Sequence, residues 1–137
     1  MQLGICVASK IDDIDYVVRA EELGYHSAWM ADSQMIWSDV YASLALAAHR
    51  TTQIRVGTGV AVAATRPAPV TAAAIASINQ LAPRRTFLGI GTGNTAMRIM
   101  GHKPMTMAAF DDYLSALGPL LRGEEAEVTW RGRTSPV

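Results

Sequence analysis

The residues of this chain with the clearest capacity for chemistry stand where predicted strands end. Asp32 follows the apolar segment 26–31, and Gly59, Gly91 and Gly93 close or follow two later apolar segments. Glycine has no Cβ, so a flat ligand can approach the backbone closely at such positions. Each position also has a structural interpretation. Asp32 can cap a turn or pair with an arginine, and the glycines can serve close packing alone.

One glycine turn also fits a nucleotide-binding pattern. Gly91, Gly93 and Ala96 match Gly-x-Gly-x-x-Gly/Ala directly after a strand. The pattern follows the fourth predicted strand, however, whereas nucleotide-binding sheets carry it after the first. No acidic residue stands at a strand end about twenty residues further on, because Asp111 and Asp112 lie within a predicted helix. We therefore do not favour a nicotinamide dinucleotide site.

The histidines and the cysteine indicate neither a metal site nor thiol chemistry. His26, His49 and His102 lack ligand spacing with one another or with a group of carboxylates. Cys6 is the only cysteine, which excludes an intrachain disulfide and a cysteine-rich metal site. We expect Cys6 to be a small buried residue of the first strand. We assign no metal and expect no catalytic role for the histidines.

Alternating strands and helices must position these residues. The order is strand 3–8, helix 11–23, strand 26–31, helix 39–49 capped by Ser38, strand 54–62, helix 69–81, strand 86–91 and, after an irregular link, helix 107–121. Near-continuous apolar strands are typical of a parallel sheet covered on both faces. Four βα units place the chain in the α/β class. Spacing alone leaves two architectures open, a doubly wound sheet and part of an eight-fold barrel.

The last predicted helix and the segment after it carry further expectations. Gly118 and Pro119 should bend this helix or end it early, because proline removes a backbone donor. Residues 123–137 are polar, with a short strand predicted over 127–131. We expect the apolar side of the helix to comprise Met107, Phe110, Leu114, Leu117 and Leu121.

Composition and charge limit the partners of the chain. With 137 residues, half of them apolar, the chain is long enough for one domain with one core. Lysine plus arginine equals aspartate plus glutamate at 12 each, so no net field draws the chain toward nucleic acid or an anionic membrane. No secretion signal or stretch of transmembrane length is visible. These observations favour a cytoplasmic protein whose partner is a small molecule.

Several segments, in their order and spacing, resemble the bacterial luciferase-like family. They are residues 57–60 (Gly-Thr-Gly-Val), 65–76 (Thr-Arg-Pro-Ala-Pro-Val-Thr-Ala-Ala-Ala-Ile-Ala) and 81–93 (Leu-Ala-Pro-Arg-Arg-Thr-Phe-Leu-Gly-Ile-Gly-Thr-Gly). Shorter matches at 22–25, 29–32 and 127–132 agree. The chain is most similar to the branch that uses the deazaflavin coenzyme F420 and includes methylene-tetrahydromethanopterin reductase.

The resemblance implies a fold and a domain organisation. The chain is expected to be the N-terminal half, about four βα units, of a luciferase-like (βα)8 TIM barrel, with the active site at the carboxyl ends of its strands. Residues 1–137 would form a single luciferase-like domain, in which 123–137 begin an insertion or a truncated tail. The segment that usually holds the coenzyme phosphate belongs to the later half of the barrel.

The resemblance also implies a site for the tricyclic ring of a flavin or deazaflavin. The positions similar to ring-contacting residues are Asp32, Gly59, Val60, Thr92 and Gly93. Relatives place a non-prolyl cis peptide in the third strand, so the bond between Gly59 and Val60 is expected to be cis.

Substrate contacts are predicted for Ser33, Trp37 and Asn94, and the catalytic residues are left unassigned. Ser33 stands where many deazaflavin-dependent dehydrogenases have a histidine, and its hydroxyl is no useful base near neutral pH. Asn94 stands where several relatives have a glutamate, and an amide cannot take a proton. Trp37 resembles an aromatic wall of the substrate pocket, although a packed or partly exposed loop tryptophan fits as well. Hydride transfer to or from an imine-like carbon needs less acid–base help than alcohol oxidation, so these residues favour the reductase branch.

The leading functional prediction from this resemblance is an oxidoreductase that transfers a hydride between coenzyme F420 and a small organic substrate. One alternative is an FMN-dependent monooxygenase of the same family. The other is a truncated, non-catalytic half-barrel polypeptide. For the chain alone, we expect either a homo-oligomer or dependence on the missing C-terminal half, because open apolar strand edges invite pairing.

Overall fold

A computed structural model describes all 137 residues of the chain. Four strands form a parallel sheet and a final pair forms an antiparallel hairpin. The strands are β1 (Gly4–Val7), β2 (Ser27–Met30), β3 (Arg55–Val62), β4 (Thr86–Gly91), β5 (Glu127–Trp130) and β6 (Arg133–Pro136). The helices are α1 (Asp15–Glu22), α2 (Val40–Arg50), α3 (Ala68–Leu81), α4 (Asn94–Ile99) and α5 (Met107–Leu121), with a 3₁₀ turn at Ala63–Thr65. None of these helices is long and apolar enough to cross a bilayer.

The order of strands decides between the two architectures that spacing left open. The sheet runs β1-β2-β3-β4, and every neighbouring pair is parallel. Right-handed crossovers between successive neighbours place their helices on one face of a sheet. A doubly wound sheet instead reverses its strand order at a switch point. The sequential order is therefore that of a barrel segment.

The main core lies between one face of the sheet and helices α1, α2 and α3. Met30, Val56 and Leu44 in this layer are fully buried. Each buried aliphatic side chain of this size contributes about 1.5–3 kcal/mol of transfer free energy. The helix-side layer thus supplies most of the apolar burial that holds the sheet together.

The opposite face of the sheet carries no helix. Cys6, Trp29, Gly57 and Phe87 are paired in register across the four strands on this face. The Trp29 and Phe87 rings lie 4.3 Å apart in a tilted arrangement, and a Cβ on Gly57 would come within 2.4 Å of the Phe87 ring. Cys6 is exposed, so the prediction that it is buried is wrong. The strand register turns the Cys6 side chain toward the uncovered face of the sheet. The sequence pattern had suggested that helices cover both faces.

Most elements occur where the sequence predicts them, with differences at their starts. α1 begins at Asp15 because residues 11–14 form a turn, and the link before α5 contains the unpredicted helix α4. The cap of α2 is Asp39, whose Oδ1 accepts from the amides of Tyr41 and Ala42 at 3.0 Å each. The Ser38 hydroxyl instead accepts from the Ile11 amide at 3.1 Å. Strand β6, which completes the hairpin, was not predicted.

Helix α5 has its predicted bounds, but its buried residues are only partly those of its predicted apolar side. It continues through Pro119 to Leu121, so of the bend or early end expected there, the early end does not occur. Its buried residues are Ala116 and Leu117, which pack with α3 and β5, because the small alanine lets the helices approach closely. Of the predicted buried side, Leu117 is buried, but Met107, Leu114 and Leu121 are exposed.

Glu21 joins the end of α1 to the turn before β3. Its Oε2 accepts from the amides of Thr52, Gln53 and Ile54 at 3.0, 2.7 and 2.8 Å. Partial burial acts to raise the pKa of Glu21, but these amide hydrogen bonds outweigh it and hold the pKa below its usual 4.5. The carboxylate therefore contributes stability in its ionised form.

The Glu21→Gln variant should lower the free energy of unfolding by about 1 kcal/mol near neutral pH, because the amide is a weaker acceptor than the carboxylate. The folded-state pKa lies below the unfolded value, so this contribution is complete above about pH 4.5 and is lost as the pH falls through the lowered pKa. Urea unfolding at several pH values measures the difference. The control is Glu22→Gln, which loses only an exposed pair with Arg19. Equal destabilisation by both variants would contradict the role of Glu21.

The uncovered face leads to a prediction about association. Leu3, Trp29 and Val60 are 52%, 40% and 45% exposed, although each is a large apolar residue in or beside the sheet. A polypeptide of residues 1–137 should therefore self-associate, since contiguous apolar surface and open strand edges favour pairing. Sedimentation over a wide concentration range tests this expectation. A cooperative monomer at every concentration would refute it.

Candidate functional site

A pocket of about 360 Å³ lies at the carboxyl ends of β2, β3 and β4. Parallel strands end at the same edge, so side chains far apart in sequence meet there. Trp37 is not among the residues that line the pocket and is 39% exposed. All other predicted site residues line it, namely Asp32, Ser33, Gly59, Val60, Thr92, Gly93 and Asn94.

One wall of the pocket is an irregular part of β3. The pairing of β3 with β4 shifts between Thr58 and Ala61, and the peptide bond between Gly59 and Val60 is cis, as the family resemblance implied. Val60 is 45% exposed and lines the pocket. A Cβ on Gly59 would lie 2.9 Å from the Trp29 Cβ, so this glycine lets β3 approach β2 closely.

The facing wall is the glycine turn between β4 and α4. Gly93 has a φ of 82°, in the left-handed region that favours glycine. A Cβ at this position would also lie 2.3 Å from a Val62 methyl group. The packing of the turn on β3 thus explains why residue 93 is a glycine without any ligand. The match of Gly91, Gly93 and Ala96 to a nucleotide-binding pattern is therefore explained, at Gly93, by local packing.

Asp32 lines the pocket, but its carboxylate is engaged within the protein. The residue is 5% exposed. Its Oδ1 accepts from Gln34 Nε2 at 2.7 Å, and its Oδ2 accepts from the Val62 amide at 3.0 Å and from an Arg66 guanidinium nitrogen at 2.7 Å. The structural interpretation, pairing with an arginine, therefore occurs. Sequence reasoning did not identify Arg66 as this partner. Its position shortly after β3, the strand that pairs with β2, would have predicted that it lies near Asp32.

The chemistry available on these walls is hydrogen bonding rather than proton transfer. Asp32 is the one ionisable side chain among the 12 lining residues. The hydroxyls of Ser33, Thr92 and Thr95 can donate or accept. The Asn94 side-chain oxygen already accepts from Arg98 Nε at 2.6 Å. No group of three or more histidine, cysteine, aspartate or glutamate side chains is placed to hold a metal ion.

Substitution of Gly93 should be more costly than substitution of Gly101. Gly101 also has a positive φ, 77°, but a Cβ there meets nothing within 4 Å. Gly101→Ala should cost about 1–2 kcal/mol from backbone strain alone. Gly93→Ala should cost a further 1–3 kcal/mol or so, because its methyl group overlaps Val62. Thermal unfolding of both variants measures the difference, and equal costs would argue against the close packing of the turn on β3.

Comparison with known proteins identifies relatives of this arrangement. The sequence profile of the family described as luciferase-like monooxygenase matches residues 9–137. The 5,10-methylenetetrahydromethanopterin reductase of Methanolobus tindarius is 34% identical over 114 residues, which are 80% of this chain and 34% of that protein. The chain thus spans about a third of the length of this curated relative.

Solved structures share the fold at lower identity. The coenzyme F420 dependent tetrahydromethanopterin reductase from Methanopyrus kandleri superposes with a TM-score of 0.74 at 24% identity, over 85% of this chain and 39% of that one. The oxygenating constituent of 3,6-diketocamphane monooxygenase from Pseudomonas putida, in complex with FMN, gives a TM-score of 0.77 at 19% identity, over 99% of this chain and 43% of that one. Both likenesses cover less than half of the solved chain.

The sequential parallel sheet and the pocket at its strand ends agree with a profile match over nearly the whole chain. Because the match covers far more than half of the residues, we conclude that this chain belongs to the luciferase-like monooxygenase family and forms part of its TIM-barrel fold.

Proposed function

We propose that the strand-end pocket holds the ring of coenzyme F420 in an oxidoreductase that transfers a hydride to or from a small organic substrate. The observation that carries the proposal is the chemistry of the pocket walls, where the single ionisable group, Asp32, is already paired with Arg66. Such walls can bind and orient a substrate but offer no free general base. That suits a reaction in which the coenzyme carries the hydride and the protein moves no proton at these residues.

The dimensions and edges of the pocket fit a flat ring. Small-molecule pockets have volumes from about 300 Å³ upward, so 360 Å³ accommodates the ring system but not a whole coenzyme. A Cβ on Gly91 would meet a Val60 methyl group at the close distance of 3.3 Å and no other atom within 4 Å, so the pocket at Gly91 is open except toward Val60. We infer that Gly59 and Val60 back the ring and that Thr92 and Gly93 meet its edge.

The protein's part in the reaction is position and exclusion of water. Coenzyme F420, when bound, supplies hydride transfer. Gly59, Val60 and Gly91 line the pocket and would offer a ring an apolar surface, and Ser33 would orient a substrate through its hydroxyl. Asn94 can assist through its amide NH2 as a donor, and its oxygen, which accepts from Arg98, has one further lone pair for a second hydrogen bond. A substrate whose reacting carbon needs little acid–base help, such as an imine-like carbon, suits these residues best.

A second candidate is an FMN-dependent monooxygenase. The solved monooxygenase in complex with FMN superposes over 99% of this chain, so the same fold accommodates a flavin ring in that protein. An F420-dependent glucose-6-phosphate dehydrogenase of Amycolatopsis mediterranei is 36% identical over 96 residues, which are 64% of this chain and 29% of that protein, and this likeness favours the deazaflavin for this chain.

Titration with F420 and with FMN tests the proposal. The protein, alone and within a complete barrel, is titrated with each coenzyme while absorbance and fluorescence are followed. We expect binding in the complete barrel, tighter for F420 than for FMN. Preferential binding of FMN would favour the FMN-dependent monooxygenase instead. Failure of the complete barrel to bind either coenzyme would overturn the proposed site.

A matched pair of variants locates the ring. Gly91→Leu places a side chain in the pocket and should weaken F420 binding by about tenfold or more, with little loss of stability. Gly118→Leu makes the same change in α5, where a Cβ would meet only an Arg122 nitrogen at 3.7 Å, and should leave binding unchanged. Equal affinities for the two variants would place the ring elsewhere.

A further inference from the structure

Arg66 lies at the centre of an ion cluster behind the pocket. Its side chain is only 16% exposed, and its two terminal nitrogens pair with different carboxylates, Asp32 at 2.7 Å and Asp39 at 2.8 Å. The guanidinium also lies 4.8 Å from the centre of the Tyr41 ring, within the range of a cation–π interaction. A planar, forked cation makes such simultaneous contacts where a lysine ammonium does not.

The partners of Arg66 belong to different elements. Asp32 follows β2, Asp39 caps the N-terminus of α2, and Arg66 itself stands between β3 and α3. Asp39 uses one oxygen for the cap and the other for Arg66. The guanidinium therefore joins the loops that follow β2 and β3, and the first of these loops contributes Asp32 and Ser33 to the pocket wall.

The cluster reaches the pocket walls through Val62. The Asp32 oxygen that binds Arg66 also accepts from the Val62 amide at 3.0 Å. Val62 is two residues beyond Val60, and its side chain is the one that a Cβ on Gly93 would overlap. The position of Val62 thus sets the spacing between the β3 wall and the glycine turn.

Charge balance explains why Asp32 is held in this orientation. The buried carboxylate faces one cation, and that cation is shared with the more exposed Asp39. Burial acts to lower the pKa of Arg66, but its bonds to Asp32 and Asp39 outweigh this and raise it. Burial likewise opposes ionisation of Asp39, yet the bonds from the Ala42 amide and Arg66 keep its pKa below the usual value. Arg66 and Asp39 therefore both remain charged at neutral pH.

From these contacts we infer that Arg66 is a positioning residue for the ring pocket. It holds the Asp32 carboxylate on the Val62 amide and thereby fixes the distance between the β3 wall and the glycine turn. Asp32 then acts on the backbone and not on the ligand. This inference rests on the proposed function only for its effect on ring binding, because the Val62 contact is a property of the protein alone.

Arg85 provides a matched control. It is also a partly buried arginine, and it donates to the carbonyls of Ile54, Ala48 and Thr51, near the other end of the sheet. Loss of either arginine should destabilise the fold. Only loss of Arg66 should alter the pocket.

The experiment compares Arg66→Met, Arg66→Lys and Arg85→Met with the unchanged protein. Hydrogen exchange of the Val62 amide, relative to that of the buried Ala20 in α1, is measured together with the melting temperature and the affinity for F420. Arg66→Met should accelerate Val62 exchange selectively and weaken F420 binding, each by about tenfold, because a buried contact is released. Arg66→Lys should give effects on Val62 exchange and on F420 affinity between those of Arg66→Met and the unchanged protein, since it keeps the positive charge but not the two-pronged guanidinium.

The outcomes separate the inference from the proposed function. Arg85→Met should lower the melting temperature without a selective change at Val62 or in affinity. Unchanged relative exchange at Val62 in both Arg66 variants would overturn the inference, as would equal effects of Arg66→Met and Arg85→Met on both exchange and affinity. If Arg66→Met does not fold, Val62 exchange and F420 affinity in Arg66→Lys decide whether Arg66 positions the pocket. Failure of the unchanged protein to bind F420 would count against the proposed function, while Val62 exchange would still decide the role of Arg66.

Discussion

The structure depends on the close approach of β3 to its neighbours, which only glycine permits. A Cβ on Gly57 would lie 2.2 Å from the Phe87 carbonyl oxygen, and one on Gly89 would lie 2.5 Å from that of Thr58. Gly93 repeats the constraint at the turn, against Val62. Aromatic rings and backbone fill the space that side chains would otherwise take. The pocket is the place where this close packing opens, between the irregular part of β3 and the turn.

The charged residues around this constraint have two distinct roles. The Asp32 carboxylate binds Arg66 and the backbone, so its place in the pocket wall is no evidence of catalysis. Burial raises the pKa of Tyr41 to about 12, and the face of its ring lies against Arg66. Ionisable groups at this edge of the sheet stabilise its geometry. The pocket itself offers hydroxyls and an amide.

The sequence was informative where a signal is local and uninformative where packing decides. β4 and α5 have their predicted bounds because apolar periodicity marks both clearly. The glycines and Asp32 were placed at strand ends correctly, since a strand followed by a turn is a local pattern. The exposure of Cys6 could not be predicted, because it depends on which face the helices cover. The predicted apolar side of α5 is only partly its buried side for a similar reason, since Ala116 together with Leu117 makes its contact with α3.

The sequential order of the strands has a consequence for how the chain acquires its structure during synthesis. Each strand pairs with the one made just before it, and helices α2 and α3 pack on β3 and β4, the strands made directly after them. Contacts between neighbours in sequence form fastest, and domains fold from the N-terminus as the ribosome extends the chain. The helix-side layer can therefore assemble unit by unit as residues emerge. In a complete barrel the face with Trp29 and Phe87 would be covered only after that layer exists, so closure would be the last step of assembly rather than its nucleus.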